Sequence, residues 1–256
     1  MIAPVALMVV GSLKPDARVL VDAGSLRAFV PRPASLHNYA DVLQRVAFVR
    51  YMANSLLITG AIVAGGLVVN SMAAYALARL RWPGRGAAFA LVLALLIVPF
   101  EALAVPLFYH AAALGWRNTY SVQIVPFVAN AFAVYLFYAF FAALPRELDE
   151  AARIDGAGPV RTFVEIIVPN ARPAFAAVAI ITFLTQWGMY LWPLMVTTGQ
   201  AVRPLPLAIA TFYTLPPLQW GDILAFGVMM VAPVLVVFVV FQRWFVRGVA
   251  ATGVKG

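Results

Sequence analysis

The chain has 256 residues, 64% of them hydrophobic and only 11% charged, with a mean hydropathy of +0.91, whereas ordinary soluble domains carry about 25% charged residues. So much apolar surface cannot be hidden in one globular core at this length, which leaves a lipid bilayer as the solvent. The formal charge of +8 does not point to nucleic acid, because the basic residues stand singly at the ends of apolar runs and no basic aromatic patch gathers them. Without a cysteine there is no disulfide, thiolate metal site or cysteine nucleophile. His37 and His110 are isolated, with no ligand spacing around either, so no metal site is expected.

Met1 to Leu13 is apolar but interrupted by Pro4. It falls short of the about 20 residues that a spanning helix needs and lacks the basic lead of a signal peptide. It reads as the stub of a first crossing, truncated or with a misplaced start. Lys14 to Arg50 is mixed and polar, with Pro15, Pro31 and Pro33, and predicts an extramembrane segment. Apolar runs then cover 52–78, 87–112, 121–144, 173–197 and 223–242. Each is long enough to span at about 1.5 Å per residue; with the stub they make an all-α polytopic membrane protein of about six crossings.

Ala61, Gly65 and Gly66, then Ala73, Ala74 and Ala76, present small faces that allow close helix approach. The run 87–112 carries Pro99 and Pro106 and is expected to be kinked or partly unwound at membrane depth. Glu101 lies between the two prolines. It is either a functional acid inside the bilayer or a helix-end acid near the headgroups. Trp116, Trp187, Trp192, Trp220 and Trp244 cluster near run ends, where an aromatic belt would place them. Asn70, Asn130 and Gln186 are suited to hydrogen bonding between helices or to the hydroxyls of a ligand. Trp187, Tyr190 and Trp192 are suited to stacking on a ring with apolar C–H faces or, for Trp192, to the belt.

Orientation follows from short-loop cations. Arg79, Arg81 and Arg85 crowd one turn, Arg146, Arg153, Arg161 and Arg172 a second loop, and Arg243, Arg247 and Lys255 the C-terminus, whereas the intervening short loops hold Arg117 and Arg203. If each run crosses once, the rich loops and the C-terminus are cytoplasmic. The second of these loops is the most informative segment of the chain. Pro145 suits the first turn of a helix, and Glu147, Asp149 and Glu150 follow where the helix dipole favours acids. Leu144, Leu148, Ala151, Ala152 and Ile154 supply a small apolar surface. Gly156 suits a left-handed C-cap, and Gly158-Pro159 stops continuation. A short helix, a turn and a second short helix ending at Pro169 are expected, an arrangement open to two readings: an interfacial linker or a plug for a partner.

Glu150-Ala151-Ala152, three residues, Gly156, nine residues, Ile166, one residue, then Val168-Pro169 resembles the EAA loop of binding-protein-dependent ABC importer permeases, with Val168 in place of the usual leucine. The resemblance extends over nearly the whole chain to the carbohydrate branch, specifically the second permease of maltose-type systems. Ser12-Leu13-Lys14, Asn54-Ser55, Ala73 to Arg79, Pro106-Leu107-Phe108, Trp192-Pro193-Leu194 and Gly253 to Gly256 carry it; Gly188 and Met189 depart from it, where the family commonly has asparagine and an acid.

The resemblance implies a type I ABC importer permease fold, a single transmembrane domain over 1–256 with a cytoplasmic coupling loop at 145–170. It implies docking onto an ATPase through Glu150, Ala151, Ala152, Asp155, Gly156, Ile166 and Pro169, and it makes Glu101, Asn130, Gln186, Trp187 and Tyr190 the candidate residues of a translocation path, with sugar hydroxyls and ring faces as their targets. Partners would be a homologous but distinct permease, two cytoplasmic ABC ATPase subunits, an external solute-binding protein and a sugar-like substrate, in the inner membrane of a prokaryote. ATP and Mg would belong to the ATPase, so the chain is not expected to be an enzyme. Its only lysines, Lys14 and Lys255, lie outside any phosphate-binding loop motif. The alternatives are an ion-coupled secondary transporter, for which Glu101 alone offers a coupling group, and a membrane enzyme, which lacks a clustered acid, base or metal set.

Overall fold

The computed structural model describes the backbone of residues 2–214 and 216–253 and the side chains of 3–214 and 216–240. The C-terminal cations Arg243, Arg247 and Lys255, the ring of Trp244 and the motif of the last residues lie outside the described side chains. Among the described residues the regular structure is helical. In chain order the helices are α1 Ile2–Ser12, α2 Asp16–Asp22, α3 His37–Arg45, α4 Phe48–Ala78, α5 Arg85–Leu95, α6 Phe100–Ala113, α7 Tyr120–Val128, α8 Ala131–Ala143, α9 Glu147–Ile154, α10 Pro159–Thr162, α11 Val168–Asn170, α12 Arg172–Trp187, α13 Leu191–Val196, α14 Leu205–Thr214 and α15 Trp220–Gly253. Three stretches among the described residues, Phe48–Ala78, Tyr120–Ala143 and Trp220–Val240, are long and apolar enough to cross a membrane, and two sharply bent pairs raise that to five.

The apolar runs are more broken than their composition implies. Run 87–112 is not one kinked helix: α5 and α6 meet at 102° across a break that ends at Pro99. Pro106, by contrast, sits inside α6 without ending it. Run 173–197 stops as a helix at Trp187 and resumes only as the short α13. A turn at Gly188 and the irregular pair Met189 and Tyr190 separate the two helices. Run 121–144 is interrupted at Ala129–Asn130, with Asn130 as N-cap of α8. Within the stretch 1–13, Ile2–Ser12 forms the helix α1 despite Pro4, because a proline in the first turn removes no intrahelical bond.

The chain divides into two compact units, 1–58 with 187–237, and 59–186 with 238–256. In the first, the segment 14–50 is packed rather than loose. Lys14 is buried, donating from Nζ to Asp22 at 3.1 Å and to the Arg27 carbonyl at 2.6 Å. Asn38 Nδ2 donates to the Ser12 and Lys14 carbonyls, covering the C-terminal end of α1. Asn54 does the same for the Ala201 and Arg203 carbonyls, and Ser55 Oγ accepts from the Leu205 amide at the start of α14. Phe48, Phe212 and Phe226 pack edge to face, with centroids 5.7 and 5.4 Å apart along the chain of contacts.

In the second unit, Ala74, Phe137, Phe141, Ile167, Ala171 and Val178 form a closed core. The break between α7 and α8 is repaired from α4. Asn70, itself buried, donates to the Val128 carbonyl at 2.9 Å and accepts the Asn130 amide at 2.9 Å. Backbone groups freed at a break must be satisfied within the protein, since hydrocarbon offers no partner. Gly65 and Gly66 permit this approach: a Cβ on Gly66 would lie 3.3 Å from both the Val128 oxygen and Asn70 Nδ2.

Candidate functional site

The loop 145–170 folds as two short helical pieces around a tight corner. Pro145 lies one residue outside α9, with Arg146 as N-cap, so it does not occupy the first turn. Glu147, Asp149 and Glu150 fall in that first turn, where the unpaired amides and the helix dipole favour acids. Gly156 takes φ +73 immediately after the helix, a left-handed conformation that side chains other than glycine adopt with difficulty. The Ala157 amide then returns to the Ala152 carbonyl at 2.9 Å and closes the corner.

The second piece does not end at Pro169. It continues through a π-helical stretch, Phe163–Ile167, into α11 and stops at Asn170. Proline lacks an amide and its ring crowds the carbonyl four residues back, here Glu165. The wider π register, in which the Val168 amide reaches Phe163, relieves that crowding. Ile167 is driven into the core by this register while Ile166 stays half-buried. The Tyr75 and Phe163 rings meet at 5.1 Å and tie the stretch to α4.

The predicted docking residues separate by exposure. Glu150, Ala151, Asp155, Gly156 and Pro169 are exposed. Ala152 is 1% exposed and packs inward, so its small size serves the seating of α9 on its own chain and not the fit of a partner. Ile154 and Val160, by contrast, are 85% and 76% exposed, two apolar side chains presented on either side of the Gly156 corner. Val160 was not singled out by its sequence context; an isolated β-branched residue after Gly-Pro carries no signal of exposure.

Arg79 is the functional residue most easily missed. By sequence it is one of the topology cations. In the structure its side chain is 1% exposed, its Nη2 lies 2.6 Å from Asp149 Oδ2 on α9, and it donates to the carbonyls of Phe141, Leu144 and Pro145 at 3.2, 2.8 and 2.6 Å. One guanidinium thus fastens the end of α4 to the C-terminus of α8 and the first turn of α9. The fixed donor fork of arginine, which lysine lacks, makes that possible. It is a mechanical link between the loop and the apolar helices.

The candidate path residues do not form one constellation. Asn130 and Gln186 come together with Phe127, Phe132, Val178 and Thr182 around a cleft of about 200 Å³ between α7, α8 and α12. A neighbouring cleft of about 610 Å³ shares Phe127, Asn130 and Phe132 and adds Phe100, Pro106 and His110. The Asn130 side chain also caps α8 by accepting the Ala133 amide at 3.0 Å. Glu101 lines neither cleft; it is exposed in the first turn of α6, where the dipole favours an acid. Trp187 is buried and donates from Nε1 to the Met230 carbonyl at 3.0 Å, and Trp192 is fully buried, so neither ring is free for stacking or for a belt. Tyr190 remains 42% exposed.

A profile of the family described as "Binding-protein-dependent transport system inner membrane component" matches residues 50–251. The arabinooligosaccharides transport system permease protein AraQ of Halalkalibacterium halodurans is 35% identical over 254 residues, 99% of this chain and 91% of that protein. The sn-glycerol-3-phosphate transport system permease protein UgpE of Yersinia pestis is 38% identical over 201 residues, 77% of this chain and 71% of that one. Among solved structures, a chain of a bacterial ABC transporter involved in the import of the acidic polysaccharide alginate superimposes with a TM-score of 0.83, covering 95% of this chain and 90% of its own. At 22% identity it speaks for the fold alone.

Proposed function

The chain belongs to the family of binding-protein-dependent transport system inner membrane components, and on that footing we propose that it is one of two distinct permease subunits of an ATP-driven importer of the carbohydrate class. Membership decides against the ion-coupled reading. The permease forms half of the translocation pathway as a single transmembrane domain. Loop 145–170 seats in a cleft of one of two cytoplasmic ATPase subunits, which bind the ATP and Mg, and an external solute-binding protein delivers the substrate. The protein sits in the inner membrane of a prokaryote with its C-terminus in the cytoplasm.

The observation that carries the coupling reading is the Gly156 corner. It holds exposed Ile154 and Val160 apart from the bilayer-facing runs, beside exposed Glu150 and Asp155. Apolar side chains held out beside carboxylates make a surface suited to burial against a protein. ATP-driven closure of the partner would pull on α9, and the Arg79–Asp149 pair would pass that pull to α4 and α8. The carbohydrate class rests on the arabinooligosaccharide relative and on the amide- and hydroxyl-lined cleft at Asn130, Thr182 and Gln186; the sn-glycerol-3-phosphate relative keeps phosphorylated polyols in range.

Gly156→Asp tests the corner directly, since it places a side chain at φ +73 where nothing else lies within 4 Å. In the assembled transporter the variant should insert normally, lose co-purified ATPase and drop uptake at least tenfold. Normal uptake with the ATPase retained would sink the coupling assignment. Ala152→Arg is the weaker test, because burial of Ala152 means the variant also unseats α9. Screening the cognate binding protein against oligosaccharides, polyols and glycerophospho-compounds tests the substrate class separately.

A further inference from the structure

Beside the coupling loop lies a cleft of about 350 Å³ lined by Arg81, Trp82, Arg85 and Arg146. Three guanidinium groups converge there, and the ion pairs of the described residues supply none of them with a carboxylate. Like charges gathered around one space repel, and an anion in that space would relieve the repulsion. The cleft is also organised by the backbone. Trp82 Nε1 donates to the Ala76 carbonyl at 3.0 Å and Arg85 Nη1 to the Leu80 carbonyl at 3.1 Å, which fixes both side chains to the α4–α5 turn. The third arginine arrives from the far side of the loop. Arg79 holds the Leu144 and Pro145 carbonyls, and Arg146 follows directly.

We propose that this cleft binds the phosphate headgroup of an anionic phospholipid. Lipid is favoured over a soluble phosphate by position. The turn joins the apolar helices α4 and α5 where they leave the hydrocarbon, and Trp82, 39% exposed, stands beside the arginines as interfacial tryptophans do. Basic pockets between the ends of membrane helices are suited to such headgroups. Because Arg146 is the N-cap of α9, the bound headgroup would join the α4–α5 turn to the start of the coupling helix. Lipid composition would thereby tune the loop that meets the ATPase.

The test uses the assembled transporter in a neutral detergent, titrated with short-chain phosphatidylglycerol, short-chain phosphatidylcholine or inorganic phosphate while its thermal unfolding midpoint is followed. Phosphatidylglycerol should raise the midpoint saturably and phosphatidylcholine should not. Arg81→Gln and Arg146→Gln, whose side chains make none of the hydrogen bonds that hold the turn, should each weaken the apparent affinity roughly fivefold, with the unliganded midpoint unchanged or raised as the repulsion is relieved. An equal response to inorganic phosphate would overturn the lipid assignment in favour of a free anion. Unaltered phosphatidylglycerol affinity in both variants would overturn the site. Loss of the ATPase subunits from either variant, with lipid response intact, would reassign the cleft to the ATPase interface.

Discussion

Single polar side chains hold this apolar chain together where its helices break. Asn38, Asn54, Ser55, Asn70 and Arg79 each reach a backbone group that a helix end or interruption leaves unpaired. In water such a group would find a solvent partner; in hydrocarbon each unmet one is costly. Arg79→Gln should therefore destabilise the protein by about 3 kcal/mol, because it strands Asp149 and two or more carbonyls. Asp149→Ala should cost less, since Arg79 keeps its carbonyl bonds. If both variants unfolded at the wild-type midpoint, the link would be ornamental. The sequence offered Asn70 for bonding between helices, Asn54-Ser55 as part of a family resemblance and Arg79 as a topology cation, but it named no partner for any of them. What distinguishes them is a partner 58 to 66 positions away in the cases of Asn70 and Arg79, and no local pattern encodes that.

At the scale of elements, composition marks where apolar runs lie but not where they break. Pro99 opens a helix, as the N-cap of α6, while Pro106 is carried inside it, although both are prolines in one run. The difference is position: Pro99 stands at the N-terminal boundary, where no amide is needed, whereas Pro106 costs a single bond that the neighbouring turns absorb. The small-residue face on α4 was legible as a packing surface, but its target was not. That target is the α7–α8 break at Val128. Gly66→Val should lower the unfolding midpoint, with a cost of roughly 1–3 kcal/mol from overpacking. Gly60→Ala, where nothing lies within 4 Å, should leave it unchanged. Equal effects at the two glycines would show that helix propensity rather than close approach governs this helix.

For the whole molecule, orientation is the property that function most depends on, and the cation count predicts a cytoplasmic loop 145–170 and C-terminus. The absence of native cysteine makes the check clean. A membrane-impermeant maleimide applied to right-side-out vesicles should label Gln200→Cys and spare Val160→Cys until the vesicles are opened. The reverse pattern would place loop 145–170 outside and overturn its proposed docking onto a cytoplasmic ATPase. The family was legible from one loop because its chemistry is local: Glu150 with its alanine pair, a glycine corner and a proline at set spacing occupy 20 consecutive positions, 150–169. The cleft at Asn130 and Gln186 was only half legible, because Glu101 and Trp187 carry the same compositional signal and sit elsewhere.

By itself the sequence determined the solvent, the helical class and the family, and it marked the loop proposed for coupling, since hydropathy, charge placement and short-range spacing are all read along the chain. Only the tertiary structure decided which small residue of that loop faces inward and which apolar ones face out. It also decided that Arg79 is a buried strut and that three arginines from two separate turns share one cleft. Those outcomes depend on what a side chain meets after the chain has folded back, and in a membrane protein each such meeting is enforced by the cost of an unpaired polar group.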